Sequence, residues 1–275
     1  VPAASLTTRT VALGPLVAAA TFGLAVAIGI VGPGALEAGA TAATKVPTRT
    51  YYDGSATVGA LFGSATATSH FCTASVVDSS AGDVILTAAH CLRGTGAGLV
   101  FVPEYRDGKE PLGAWTVTAA YGAPAWIRSG DTDDDFAFLT VAPRTIHGHL
   151  TQIQSVTGGH ELGFAPAPGK KVTVPAYAAG SDDRPFYCGA TVYYDGAFPA
   201  FKCHSYPGGT SGAPWLLDTP VGETVSGVIG GLHQGGCTVL TSYTSPFGSD
   251  AWSAYDRAEK GTDPDTFPPA GSDGC

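Results

Sequence analysis

Thr87-Ala88-Ala89-His90-Cys91 is the stretch on which the reading of this chain turns. Asp83-Val84-Ile85-Leu86-Thr87 leads into it as a short buried strand and delivers a histidine at its end. Far downstream, Gly208-Gly209-Thr210-Ser211-Gly212-Ala213-Pro214 sets a serine among glycines, which let the backbone turn tightly and expose the hydroxyl. Serine is a weak nucleophile at neutral pH and needs an adjacent base to take its proton. Histidine is such a base, and a carboxylate that holds its tautomer completes the set. Asp131-Thr132-Asp133-Asp134-Asp135-Phe136-Ala137-Phe138-Leu139 offers that carboxylate where an acidic cluster runs into an apolar strand. Asp135, at the strand's edge, is the expected orienting acid, and Asp134 is the alternative one register away. Asp131 and Asp133 read as a solvated loop. The order His, Asp, Ser is one of the known arrangements of such a triad.

These motifs resemble the chymotrypsin/trypsin-like serine peptidases, in particular their bacterial secreted branch, from about Val58 to Ala258. The resemblance implies an all-β fold: two antiparallel Greek-key β-barrels, the active site in the cleft between them, and a short C-terminal helix. It also implies a serine endopeptidase working through an acyl-enzyme on Ser211. His90 would act as base and then acid, Asp135 would orient it, and the backbone N–H groups of Gly209 and Ser211 would form the oxyanion hole. Polypeptides are the implied substrates and water the second one; no cofactor and no metal are implied. A catalytically silent relative serving as a secreted binding module is the alternative, although every triad member and the oxyanion glycine are present.

The departures from the family are informative. Thr210 and Ala213 interrupt the usual Gly-Asp-Ser-Gly-Gly, and a threonine cannot capture a new N-terminal ammonium, so trypsin-style activation is not expected. Ser205 stands six residues before the serine, where a Lys/Arg-specific member carries a carboxylate. His233 lies in Gly230-Gly231-Leu232-His233-Gln234-Gly235-Gly236, which resembles the Gly-apolar-His-x-Gly-Gly strand of glutamyl endopeptidases. That resemblance implies a preference for Glu or Asp before the scissile bond, with His233, Ser205 and Tyr206 as substrate-binding residues. Against it, Tyr206 and Pro207 replace that subgroup's pocket threonines, and Asp218 to Thr224 lengthens the path to His233. A histidine at a strand edge without a substrate role is the competing reading.

Composition sets the wider bounds. The chain has 275 residues, 38 of them glycine and 20 proline, which suits many short strands between turns better than a helical bundle. A net charge of −9 without clustered Lys/Arg excludes nucleic acid as a partner. Arg9, the uncharged run from Val11 to Val31, the break at Pro33-Gly34 and the small-x-small sites Ala38-Gly39-Ala40 and Ala40-Thr41-Ala42 have the layout of a signal peptide. A retained membrane anchor is the alternative. The expected organisation is a leader over 1–42, a lobe carrying His90 and Asp135 over 43–160, a lobe carrying Ser211 over 161–260, and a loose tail over 261–275. Secretion is expected from it, and a monomer is the expected state.

Six cysteines fit export, since disulfides persist in oxidising compartments. The family places a bridge between Cys72 and Cys91. Cys188 and Cys203 flank a Tyr-rich, hairpin-like stretch, and Cys237 and Cys275 remain, whose pairing would tie down the tail. Spacing alone leaves fifteen connectivities open. No Cys-x-x-Cys or His/Cys ligand spacing suggests a metal. Strands are expected at 58–62, 71–77, 83–87, 98–102, 114–117, 136–141, 171–175 and 225–232, and one helix at 250–260.

Overall fold

The computed structural model describes residues 45–180, 184–220 and 222–275; the expected leader lies outside them. Residues 44–275 form one unit. A short strand β1 (Thr50–Tyr51) precedes the first lobe, whose strands are β2 (Val58–Phe62), β3 (His70–Val76), β4 (Val84–Thr87), β5 (Val100–Pro103), β6 (Trp115–Gly122) and β7 (Ala137–Val141), with helix α1 (Pro124–Ser129) between the last two. They close into a barrel in the order β2-β3-β4-β7-β6-β5. Closure satisfies the backbone groups of every strand and leaves no edge. Along β6, Trp115 and Val117 turn inward while Thr116 and Thr118 face out. Trp115, Phe101, Leu61, Ile85 and Leu139 fill the barrel. All of β7 is buried, because its second face is covered by the C-terminal helix.

A hairpin of β8 (Arg144–Ile146) and β9 (His149–Thr151) and helix α2 (Gln154–Thr157) lead to β10 (Glu161–Leu162). The second lobe continues with β11 (Lys171–Ala176), β12 (Phe186–Thr191), β13 (Tyr193–Asp195), β14 (Phe198–Lys202), β15 (Pro214–Thr219), β16 (Gly222–Val228) and β17 (Thr241–Tyr243), then α3 (Ser249–Lys260). Its strands form a six-stranded sheet, β1-β12-β11-β15-β16-β10, and a three-stranded one, β13-β14-β17. Both contribute to one core built around Trp215, Phe201, Phe186 and Val174. The antiparallel, mostly β architecture is the expected one; the second lobe is two sheets on a shared core, and the β10–β16 pair is parallel.

The C-terminal helix seals the seam between lobes. Ala251, Ala254 and Ala258 are buried with Phe136 and Phe138 of the first lobe and Leu216 and Val228 of the second. Small residues at this spacing let the helix lie close, and Gly261, in the left-handed conformation at φ 62°, ends it. Disulfides join Cys72 to Cys91, Cys188 to Cys203 and Cys237 to Cys275.

Two expectations are corrected. The strand over 225–232 stops at Val228, because Gly230-Gly231 breaks it and His233 and Gln234 turn left-handed at φ 54° and 50°. The tail is docked, not loose: the Phe267 ring is buried in the first barrel, worth roughly 2 kcal/mol, and its backbone pairs with Gly94.

His160 links Thr57, before the first barrel, with Glu223 of the second lobe. It is buried, its Nε2 lies 2.7 Å from Thr57 Oγ1, and the Glu223 carboxylate is 3.9 Å from Nδ1. Burial lowers its pKa to about 4, against about 6.5 for a free histidine. Its contribution to stability is therefore fully present above pH ~6.5 and is lost as the pH falls towards about 4. Unfolding in urea at pH 7 and pH 4 should show wild type losing up to ~3 kcal/mol more than His160→Asn. Equal losses in the two proteins would refute this.

Candidate active site

The histidine sits where the strand reading placed it. β4 ends at Thr87, and a single 3₁₀ turn, Ala89–Cys91, carries His90 to the barrel rim, held by the Cys72–Cys91 bridge. Asp135 follows another 3₁₀ turn, Thr132–Asp134, in which the Asp131 carboxylate accepts from the Asp133 N–H at 3.1 Å. The Asp135 side chain is fully buried. Its Oδ1 accepts from the His90 backbone N–H at 2.9 Å, and its Oδ2 lies 2.7 Å from His90 Nδ1. Gly231 N–H donates to the same Oδ2 at 2.8 Å. Three N–H donors converge on one buried carboxylate, which fixes the imidazole with its proton on Nδ1. That tautomer leaves Nε2 as the acceptor nitrogen.

The structure brings Asp135, and not Asp134, to the histidine. At Asp134, burial, with Asp250, Asp131 and Asp133 adding like charge, raises the pKa to about 6. Ser245 completes the support: its Oγ accepts from the Asp135 N–H at 2.9 Å and donates to the Thr132 carbonyl at 2.9 Å. Only a glycine fits at 230, because a Cβ there would stand 2.7 Å from the Asp135 carbonyl oxygen. Gly230, Gly231 and Ser245 were not singled out as site residues from the sequence. Their partner lies about a hundred residues away, so no local pattern marks them.

The serine loop is pressed onto the first barrel. Thr73 N–H donates to the Ser211 carbonyl at 2.8 Å, and Thr73 Oγ1 donates to the Gly209 carbonyl at 3.1 Å. Gly212 has φ +80°, and a Cβ on it would come within 2.2 Å of both Thr73 O and Thr87 Oγ1. That contact sets Ser211 beside the strand end that carries His90. Thr210 closes the turn, its Oγ1 donating to the Pro207 carbonyl at 2.8 Å. With their carbonyls committed in this way, the N–H groups of Gly209 and Ser211 have no acceptor among the described residues.

A cavity of about 200 Å³ opens beside Ser211, lined by Pro207, Gly208, Ile229, Gln234, Thr238 and Val239 among others. Tyr206 also lines it, but its ring packs edge-on against Phe186 and Phe201 and its hydroxyl donates to the Val174 carbonyl, so it offers no free polar group. Ser205 does not reach the cavity: it is exposed on a left-handed turn at φ 71°, one residue out of register with the wall. His233 does not line it either. The left-handed turn aims its ring at the tail, where Nδ1 lies 2.8 Å from the Asp273 carbonyl oxygen. Among the described residues, the two groupings of His and Cys near enough to share a metal, around His90 and around His233, have their thiols in disulfides.

A β-barrel lobe docked on a second β lobe, with this histidine and acid paired and the serine loop fastened to the same barrel, belongs with the serine endopeptidases of chymotrypsin-like fold. Comparison with known proteins agrees: the family model described as Trypsin matches residues 14–191, a span that includes His90 and Asp135 and ends before Ser211. The chain belongs to the trypsin family. Among solved structures, protease Anisep from Arthrobacter nicotinovorans is 25% identical, with a TM-score of 0.65 over 78% of this chain and 100% of that one. A thermostable serine protease, AL20, from an extremophilic microorganism is 25% identical, with a TM-score of 0.63 over 76% of this chain and 99% of its own. A Glu endopeptidase solved in complex with MPD shares the fold, at 17% identity and a TM-score of 0.57 over 77% and 97% of the two chains. No curated protein matched the sequence.

Proposed function

We propose that this endopeptidase is exported and cleaves polypeptides through an acyl-enzyme on Ser211. In this reading His90 takes the serine proton through Nε2 and returns it to the leaving amine. Asp135 holds the imidazole tautomer, and the N–H groups of Gly209 and Ser211 bind the oxyanion. The observation that carries it is the His90–Asp135 pair at 2.7 Å, next to a serine loop with two uncommitted N–H groups. Export is supported by the signal-peptide layout of the leader and by three disulfides that use all six cysteines.

The cavity beside Ser211 favours a small uncharged residue before the scissile bond. It is about 200 Å³ in volume, and the residues lining it include no Lys, Arg, Asp, Glu or His. A preference for Glu or Asp would need a cation or proton donor there, and the residue that suggested it, His233, is engaged by the tail. The test is hydrolysis of a peptide panel differing only at that residue (Ala, Val, Phe, Glu, Asp, Lys) by wild type and His233→Val. Ala or Val should be cleaved at least tenfold faster than Glu, with the same ranking in both proteins. Cleavage confined to Glu, and lost in His233→Val, would restore the glutamyl reading.

A further inference from the structure

The last eight residues run from the first barrel to the loop beside Ser211. Phe267 anchors their start, exchanging two backbone hydrogen bonds with Gly94, at 2.7 and 2.9 Å. Cys275 anchors their end through its disulfide to Cys237, which borders the cavity beside Ser211. Between these points the strap is laid down by the left-handed turn. Gln234 Nε2 donates to the Gly271 carbonyl at 2.8 Å, and His233 holds the Asp273 carbonyl. Pro269 and Ala270 wall the hollow that contains His90, Phe71 and Arg93. Pro268, Pro269 and residues 271–273 wall a second hollow, of about 420 Å³, together with Trp126, Arg128 and Thr132.

Gln234 lines both that second hollow and the cavity beside Ser211. A substrate whose acyl residue fills the cavity must therefore meet the strap as soon as it extends past Gln234 on its N-terminal side. No strand edge awaits it there, since the backbone at His233 and Gln234 is left-handed and cannot pair with an extended chain. The two ends of the strap are unequal. Phe267 is buried in a barrel, whereas Cys237 and Cys275 are both exposed, unlike Cys72, Cys188 and Cys203. An exposed disulfide is open to thiolate attack.

Building on the Ser211 reading, we propose that residues 268–275 close the acyl side of the cleft, so that the enzyme reads few substrate residues before the scissile bond, and that the Cys237–Cys275 disulfide is the latch that keeps this side closed. The strap thereby sets substrate length, and reducing one surface disulfide would extend the cleft.

Acetyl-Ala p-nitroanilide and acetyl-Ala-Ala-Ala-Ala p-nitroanilide measure this directly as a ratio of kcat/KM, extended over short. The ratio should be near one for the oxidised wild type and rise at least tenfold in Cys275→Ser, with the short substrate unaffected. A chain ended at Phe267 should show the same rise in the ratio and decides the matter if Cys275→Ser does not fold. An unchanged ratio in proteins that still cleave the short substrate would overturn the strap and leave the Ser211 site standing. Hydrolysis of the short substrate that survives Ser211→Ala would overturn the site reading, and the strap with it.

Discussion

Ser211→Ala is expected to lower kcat for peptide hydrolysis by roughly 10⁵-fold or more while leaving the fold intact. The size follows from what the hydroxyl does. Without it no acyl-enzyme can form, and His90 has no proton to take on the way to the tetrahedral intermediate. The loss of structure should be slight, because the loop is held by backbone and neighbouring side chains: Thr73 N–H on the Ser211 carbonyl, Thr210 on Pro207, and Gly212 N–H on the Ile229 carbonyl at 2.8 Å. A residual rate above that in water should remain, since the N–H groups of Gly209 and Ser211 still stabilise an oxyanion when water attacks directly. Single-turnover kinetics with a p-nitroanilide, beside a thermal melt, checks both halves. A variant that melted like wild type and kept more than about a hundredth of its rate would assign the nucleophile elsewhere.

Much of this site was legible in the sequence because its chemistry is written in short runs. The strand into His90, the glycines around Ser211 and the acid at the head of the 136–141 strand are each local patterns; the structure pairs His90 with Asp135 and fastens the serine loop to Thr73 of the same barrel. What was not legible depends on contacts between distant segments. Gly230 and Gly231 look like a loop in the sequence, yet one makes room for the Asp135 backbone and the other donates to its carboxylate. Thr73 reads as one more residue in a buried strand, although its N–H and hydroxyl fasten the serine loop. His233 departs from its motif for a similar reason. Its motif matches a pocket strand, but the glycine pair ends that strand early and the following left-handed turn swings the ring towards the tail. A composition rich in Pro, Gly and Asp suggested a loose tail, and one buried phenylalanine and one disulfide overrule it.

Asp135→Asn tests the part of the site that geometry constrains most tightly, and a fall in kcat of about 10⁴-fold at neutral pH is expected. The two carboxylate oxygens serve three donors: Oδ1 takes the His90 backbone N–H, and Oδ2 takes His90 Nδ1 and the Gly231 N–H. An asparagine has one acceptor oxygen and one amide nitrogen that can only donate. If its oxygen stays with the His90 backbone, the amide faces Gly231 N–H, donor against donor, and forces His90 Nδ1 to become an acceptor. The imidazole proton then moves to Nε2, which can no longer take the Ser211 proton. If the amide flips, it meets the His90 backbone N–H instead, and a buried donor loses its partner at a cost of about 1–3 kcal/mol. Either arrangement also removes the negative charge that stabilises the imidazolium. Because a stronger external base can replace His90 in part, activity of the variant should recover as the pH rises, whereas a merely misfolded protein would show no such slope. Asp134→Asn is the matched control. Its carboxyl touches neither His90 nor Ser245, so it should keep its rate within about twofold and gain stability at pH 7, where burial among Asp250, Asp131 and Asp133 makes its charge unfavourable. The same loss from both variants would mean that the acidic turn, and not the Asp135 carboxylate, is what His90 requires.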